Sequence, residues 1–256
     1  TLGNLQESME TSDIDNEGLG RLVRARRVLR SRSTDSSRSR ITAAAPVSSS
    51  STSIGREKDK AHVRDFVTQD GPRLLVVSGL EGIGKTTSIA DGLAQSALKT
   101  VRIQCHAGTS ADYLFESLLR SAGRVHPSVA PRAEFPVRDL ADALSATRVL
   151  WIEDAHHLTD RRRWRTTQLG ALFRTMLEAL KLAPDTRVVM ESRFRLEFEI
   201  DLSQRIDRWS VRGLEATDAV MLFDRELRRS EQPQAFSQAE KLEIARLVEG
   251  HPGMLS

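Results

Sequence analysis

Residues 79–86 read Gly-Leu-Glu-Gly-Ile-Gly-Lys-Thr and fit the pattern G-x-x-x-x-G-K-[ST] without a mismatch. Residue types at this spacing suit one task, holding a chain of phosphates. The loop Gly79, Gly82, Ile83, Gly84 lets the backbone wrap closely round a pyrophosphate. Its N–H groups and the N-terminus of a following helix present positive dipole to the anion. Lys85 is placed to reach the β- and γ-phosphates, and Thr86 to offer its hydroxyl to Mg²⁺. Thr87 falls near the α-phosphate. A glycine turn with a chance lysine is the plain alternative. The setting of the motif, after an apolar run and before a helical pattern, speaks against it.

A phosphate loop needs a metal partner. Val149-Leu150-Trp151-Ile152 delivers Glu153 and Asp154 to the C-terminal edge of a sheet, where open α/β sheets bind ligands. We assign Glu153 to the metal, through water, and Asp154 to orienting the attacking water or accepting its proton. The reverse order is the alternative, because the metal position more often carries Asp. Residues 187–191 form another apolar run, and Ser192-Arg193 follows it. An arginine there can touch a γ-phosphate and so distinguish ATP from ADP; the bland reading is a surface side chain.

These groups need elements to position them. Residues 56–68 carry a helical pattern, and 74–78 an apolar run typical of a strand buried on both faces. A helix follows the glycine loop, with Ile89, Leu93 and Ala97 on one stripe. Further strands are expected at 101–105, 148–153 and 187–191, and a fifth at 210–212. Ser110 is an expected N-cap, and Leu169 to Leu180 mark an amphipathic helix ending before Pro184. Pro127, Pro131 and Pro136 mark a loop. Alternating strands and helices predict an α/β fold: a parallel sheet of about five strands flanked by helices. Residues 216–227 and 237–248 read as helices without strands. The expected domains are therefore 1–53, 54–212 and 213–256: a flexible N-terminal segment, an α/β nucleotide-binding domain and a small helical subdomain.

The chain has 256 residues, of which 39% are hydrophobic, enough for a core. No apolar run approaches the ~18 residues of a transmembrane helix, so no membrane partner is expected. The first twenty residues hold five acids and no base, and do not read as a secretory signal. The next twenty hold eight arginines and one acid, Asp35. Residues 17–32 carry a thin helical stripe; 31–53 are low-complexity and polar, and read as a disordered linker. The single cysteine, Cys105, forms no internal disulfide and suits a reducing compartment, the cytoplasm.

Taken together, these motifs resemble the STAND class of P-loop NTPases, the NB-ARC and NACHT-like switch ATPases. The resemblance spans residues 54–256. Ile54-Gly55-Arg56-Glu57 is similar to the family's N-terminal signature, which implies that Gly55 and Arg56 line the adenine pocket. GLEGIGKTT resembles its phosphate loop, and WIEDAHHL its acidic strand. Ser192-Arg193 resembles its sensor arginine, and WSVRGLEATDAVMLF the start of its helical subdomain. His251-Pro252-Gly253 resembles the motif whose proline, here Pro252, packs on adenine; a helix C-cap at Gly250 is the plain alternative and is compatible with it. The family's winged-helix and sensor regions do not follow here. The resemblance thus implies a fragment, or a short relative working with a partner protein that supplies them.

The function expected is an Mg²⁺-dependent, slow ATPase whose ATP or ADP state controls conformation and self-association, with Lys85, Glu153, Asp154 and Arg193 as the catalytic group. Two other classes compete. A nucleic-acid-associated assembly ATPase would use the arginines of residues 21–40 and 161–165 on phosphates. A nucleotide-binding scaffold would lack useful hydrolysis. Residues 160–165 otherwise read as a solvated helix start with Trp164 packed inward. His156 reads as a hydrogen-bonding loop residue, and Cys105 as a small core residue.

Overall fold

The computed structural model describes residues 53–123, 134–160, 163–196, 206–230 and 235–255. The N-terminal segment, Pro127, Pro131, Arg161 and Arg162 lie outside them. The described residues up to Val211 form one unit, and those from Arg212 another.

In the first unit the elements run α1 (Glu57–Thr68), β1 (Leu74–Ser78), α2 (Lys85–Ser96), β2 (Thr100–Gln104), α3 (Ala111–Ser121), α4 (Val137–Ser145) and β3 (Val149–Glu153). A 3₁₀ turn (Ala155–Leu158) follows, then β4 (Thr159–Asp160), β5 (Arg163–Trp164), α5 (Thr167–Leu182), β6 (Arg187–Ser192) and β7 (Ile206–Ser210). Five strands form one parallel sheet in the order β2-β3-β6-β1-β7.

The apolar runs serve two cores at once, because successive strand residues face opposite sides. Leu75, Val77, Val149, Trp151 and Val189 pack with Ile89 and Leu93 of α2 and Val63 and Phe66 of α1. Leu74, Val76, Leu150, Ile152, Val188 and Met190 share the other core with Phe115 of α3, Leu140 of α4 and Phe173 of α5. Helices on both faces are what a sheet of continuous apolar strands requires.

Three expectations are revised. The proline-marked loop gives way at Pro136 to α4, whose Leu140 N–H bonds back to the Pro136 carbonyl at 3.2 Å. The fifth strand lies at 206–210, not 210–212; as an edge strand with Asp207, Arg208 and Ser210 incompletely buried, it shows no apolar run. Among the described residues of 160–165, Asp160, Arg163 and Trp164 lie in strands and not at a helix start. Thr159–Trp164 and Asp160–Arg163 pair as a short antiparallel hairpin, and the helix begins only after Thr166, whose hydroxyl accepts from the Leu169 N–H. Trp164 does pack inward, its ring 4.7 Å from Phe173.

The second unit holds α6 (Ala216–Arg229), α7 (Gln238–Leu247) and α8 (Pro252–Leu255). Ser237 and Glu240 form a reciprocal capping box on α7. Phe223 meets Phe236, and Lys241 reaches Asp224 at 2.6 Å. At the C-terminus of α7 the Gly250 N–H bonds the Ala245 carbonyl and the Glu249 N–H that of Arg246, so Glu249 takes the position expected for Gly250 and Gly250 the next. There Gly250 (φ +65°) crosses Gly213-Leu214, and a Cβ on Gly250 would lie 2.0 Å from the Leu214 carbonyl oxygen.

Candidate phosphate-binding site

Strand β1 is flanked on both sides, by β6 and β7, so its C-terminal end opens inside the sheet, one strand in from the β7 edge. The loop 79–84 leaves β1 there and returns as α2. Gly84 caps α2 with φ +98°, a backbone that a side chain would strain. The loop is braced by Arg56, which is buried. Its guanidinium donates to the Ile83 carbonyl and, at 3.1 Å, to Asp59 Oδ2. Asp59 Oδ1 accepts in turn from Trp209 Nε1 at 2.8 Å. The first turn of α1, the loop and the edge strand β7 are thus tied through one buried acid. Gly55 and Thr87 are exposed beside this framework.

Lys85 is 6% exposed, and its Nζ donates to the Leu80 carbonyl at 2.9 Å. Burial pushes its ammonium below the usual lysine range, against the pull of Glu191 and Asp154. The next residue, Thr86, donates its hydroxyl to Glu191 Oε1 at 2.7 Å. Glu191 was not among the sequence candidates. It sits on β6 opposite Val77 of β1, 3% exposed, with Oε2 buried and unbonded among the described residues. Burial raises its carboxyl to about 7; the Thr86 bond pulls it down, and Glu153 adds to the rise. The available signal was a carboxylate inside the apolar run Val188-Val-Met-Glu-Ser.

Glu153 is also buried, but its carboxylate is engaged elsewhere. Arg102 of β2 forks onto it at 2.7–2.9 Å, while the guanidinium lies 4.5 Å from the centre of the Trp151 ring. Asp154 turns the chain in the left-handed region, at φ +53°. His156 follows in the 3₁₀ turn, buried, its Nδ1 3.8 Å from Asp154 Oδ1 and neither ring nitrogen hydrogen-bonded among the described residues. Burial, then His157, lowers it to about 4. Arg193, the residue after β6, closes the circle: its Nη2 reaches Glu81 of the loop at 3.0 Å. The structure therefore gathers Lys85, Thr86, Asp154 and Arg193 round the loop with Glu191, and gives Glu153 an arginine partner. Pro252 lies in the second unit, as the first residue of α8. Cys105 is buried at the end of β2, its thiol pushed up to about 12 by burial.

A parallel sheet of this order, with a G-x-x-x-x-G-K-T loop leaving an inner strand and acids at the neighbouring strand ends, defines a P-loop NTPase fold. Residues 55–196, more than half of the chain, match the family model described as Novel STAND NTPase 6, and the chain belongs to that family. Among solved structures it is similar to a STAND signal-transduction ATPase with a tetratricopeptide-repeat sensor from Pyrococcus horikoshii. The TM-score is 0.52 at 17% identity, over 82% of this chain and 30% of that one. That likeness bears on the fold. The chain spans less than a third of that protein's length. No curated protein matches the sequence. No helix among the described residues is long and apolar enough to cross a membrane.

Proposed function

We propose that the chain binds Mg²⁺-ATP and ADP at the 79–86 loop, hydrolyses ATP slowly, and uses the bound state to set its conformation and self-association. The observation that carries this reading is the pairing of the glycine loop with a buried Lys85. A desolvated ammonium whose one hydrogen bond among the described residues is to a carbonyl of its own loop is ready to exchange that contact for phosphate oxygens. Thr86 and the unbonded Glu191 Oε2 fit a divalent cation beside the phosphates. Mg²⁺, when bound, neutralises phosphate charge. The chain's own residues do the rest. Lys85 binds the outer phosphates, Asp154 orients or deprotonates the attacking water, and Arg193 senses the γ-phosphate by leaving Glu81. Gly55 and Arg56 are assigned to the adenine side.

Calorimetric titration of ADP and of a non-hydrolysable ATP analogue in Mg²⁺ tests it. Lys85→Ala should weaken both by at least about 100-fold, roughly 2.7 kcal/mol. Undiminished affinity in that variant would sink the assignment.

The Arg102–Glu153 fork favours a second reading, a nucleotide-binding scaffold without useful hydrolysis. Tight ADP retention with no phosphate release over hours would select it.

A further inference from the structure

Two carboxylates lie side by side on one face of the sheet, at the ends of adjacent strands. β3 and β6 pair through Ile152–Met190, and Glu153 and Glu191 are the next residue on each. Their partners differ. Glu153 is neutralised by a two-nitrogen fork from Arg102, itself stacked near Trp151. Glu191 meets no cation within ion-pair distance among the described residues; its one bond is to the Thr86 hydroxyl, at 2.7 Å.

That bond has a direction. A threonine hydroxyl has one hydrogen and two lone pairs. To serve as a cation ligand it must point its hydrogen away from the cation and into an acceptor. Glu191 Oε1 takes that hydrogen and leaves the Thr86 lone pairs free. The other oxygen, Oε2, is buried in a residue 3% exposed and has no hydrogen-bond partner among the described residues. A buried carboxylate oxygen without a partner is costly unless a proton, a cation or a cation's water completes it. Glu153 has no such unmet oxygen: both accept from Arg102.

We infer that Glu191, rather than Glu153, is the carboxylate that positions the divalent cation, orienting Thr86 with one oxygen and facing the cation's hydration shell with the other. The inference rests on the nucleotide-binding reading above. It makes Glu191 a positioning residue supplied by β6, and leaves Glu153 as a strut that fixes Arg102.

The test separates metal from nucleotide. ADP affinity is measured in EDTA and in excess Mg²⁺, and their ratio is the metal enhancement. Glu191→Gln keeps the shape and an acceptor for Thr86 but removes the charge. It should lower the metal enhancement by about 10–100-fold, the range found when an outer-shell metal partner is removed. Its affinity for ADP in EDTA should be unchanged or higher, because a negative charge near the phosphates has gone. Glu191→Asp, which keeps the charge, should retain more of the enhancement. Loss of affinity in EDTA and Mg²⁺ alike would indicate a structural role and overturn the inference, as would equal loss in both variants. So would full enhancement in Glu191→Gln together with its loss in Glu153→Gln. A wild-type chain that binds ADP without any metal enhancement overturns this inference alone; one that binds no nucleotide overturns the parent reading with it.

Discussion

Buried titratable groups near the strand ends divide by what burial does to their charge. Cys105 is held as a thiol by a low-polarity setting and two nearby acids, Asp154 and Glu153. Reactivity follows the thiolate, so the native protein at pH 8 should resist iodoacetamide for hours, whereas the urea-unfolded chain is alkylated within minutes; mass spectrometry of the single cysteine reads the difference. Glu191 and His156 make a pH prediction for the protein without nucleotide or metal. The carboxyl of Glu191 rises from 4.5 to about 7, so between those values the native state holds a proton that the unfolded chain has lost. Its contribution to stability falls as pH rises through that window. His156 drops from 6.5 to about 4, so there the unfolded chain binds more protons and stability rises with pH. The two oppose each other between about 4.5 and 6.5. Glu191→Gln removes one side, and its urea midpoint should climb more steeply over that range than the wild type's. At this scale the sequence was informative where the backbone makes the site: the glycine loop, Lys85 and Thr86 follow from spacing alone. Glu191 was not legible, because its role depends on strand order and face. Only when β6 lies beside β1, with Glu191 opposite Val77, does its carboxylate meet Thr86.

Helix packing supplies a prediction whose sign opposes helix propensity. Glycine inside a helix ordinarily disfavours it by about 1 kcal/mol relative to alanine. Gly92 lies in α2, and a Cβ there would stand 2.8 Å from both the Lys60 carbonyl oxygen and Val63 Cβ of α1. Gly92→Ala should therefore destabilise, by roughly 1–3 kcal/mol as overpacking does, seen as a lower urea midpoint with an unchanged slope. The long elements were legible for a simple reason: strands buried on both faces are continuous apolar runs, and α5 carries a wide apolar stripe. The misses share a cause as well. In α4 a nine-residue helix begins directly after Pro136, which reads as loop although proline suits a helix start. At β7 an edge strand exposes alternate residues. At 159–164 two paired dipeptides are too short to carry a period, and Trp164 packs on Phe173 and Gly170 of α5.

For the molecule as a whole, the proposed switch predicts a change of mass. Light scattering after size exclusion, in Mg²⁺ with ADP and then with a non-hydrolysable ATP analogue, should give a monomer and a defined oligomer respectively. An ATP state able to assemble would need Arg193 to leave Glu81, so Arg193→Ala should abolish the shift without weakening ADP binding more than about threefold. A monomer in both states would place assembly in regions outside this chain or in a partner.

The strand order carries one more consequence, for how the molecule is made. Among the described residues β1 is the first strand of the sheet, yet its neighbours are β6 and β7, the last two of that sheet in chain order. A ribosome releases roughly 5–20 residues each second, so the strand that launches the phosphate loop waits several seconds with both hydrogen-bonding edges bare. Contacts so distant in sequence also slow the search itself. Strand β1 is thus the first of the sheet's described strands to be translated and among the last to be paired on both edges.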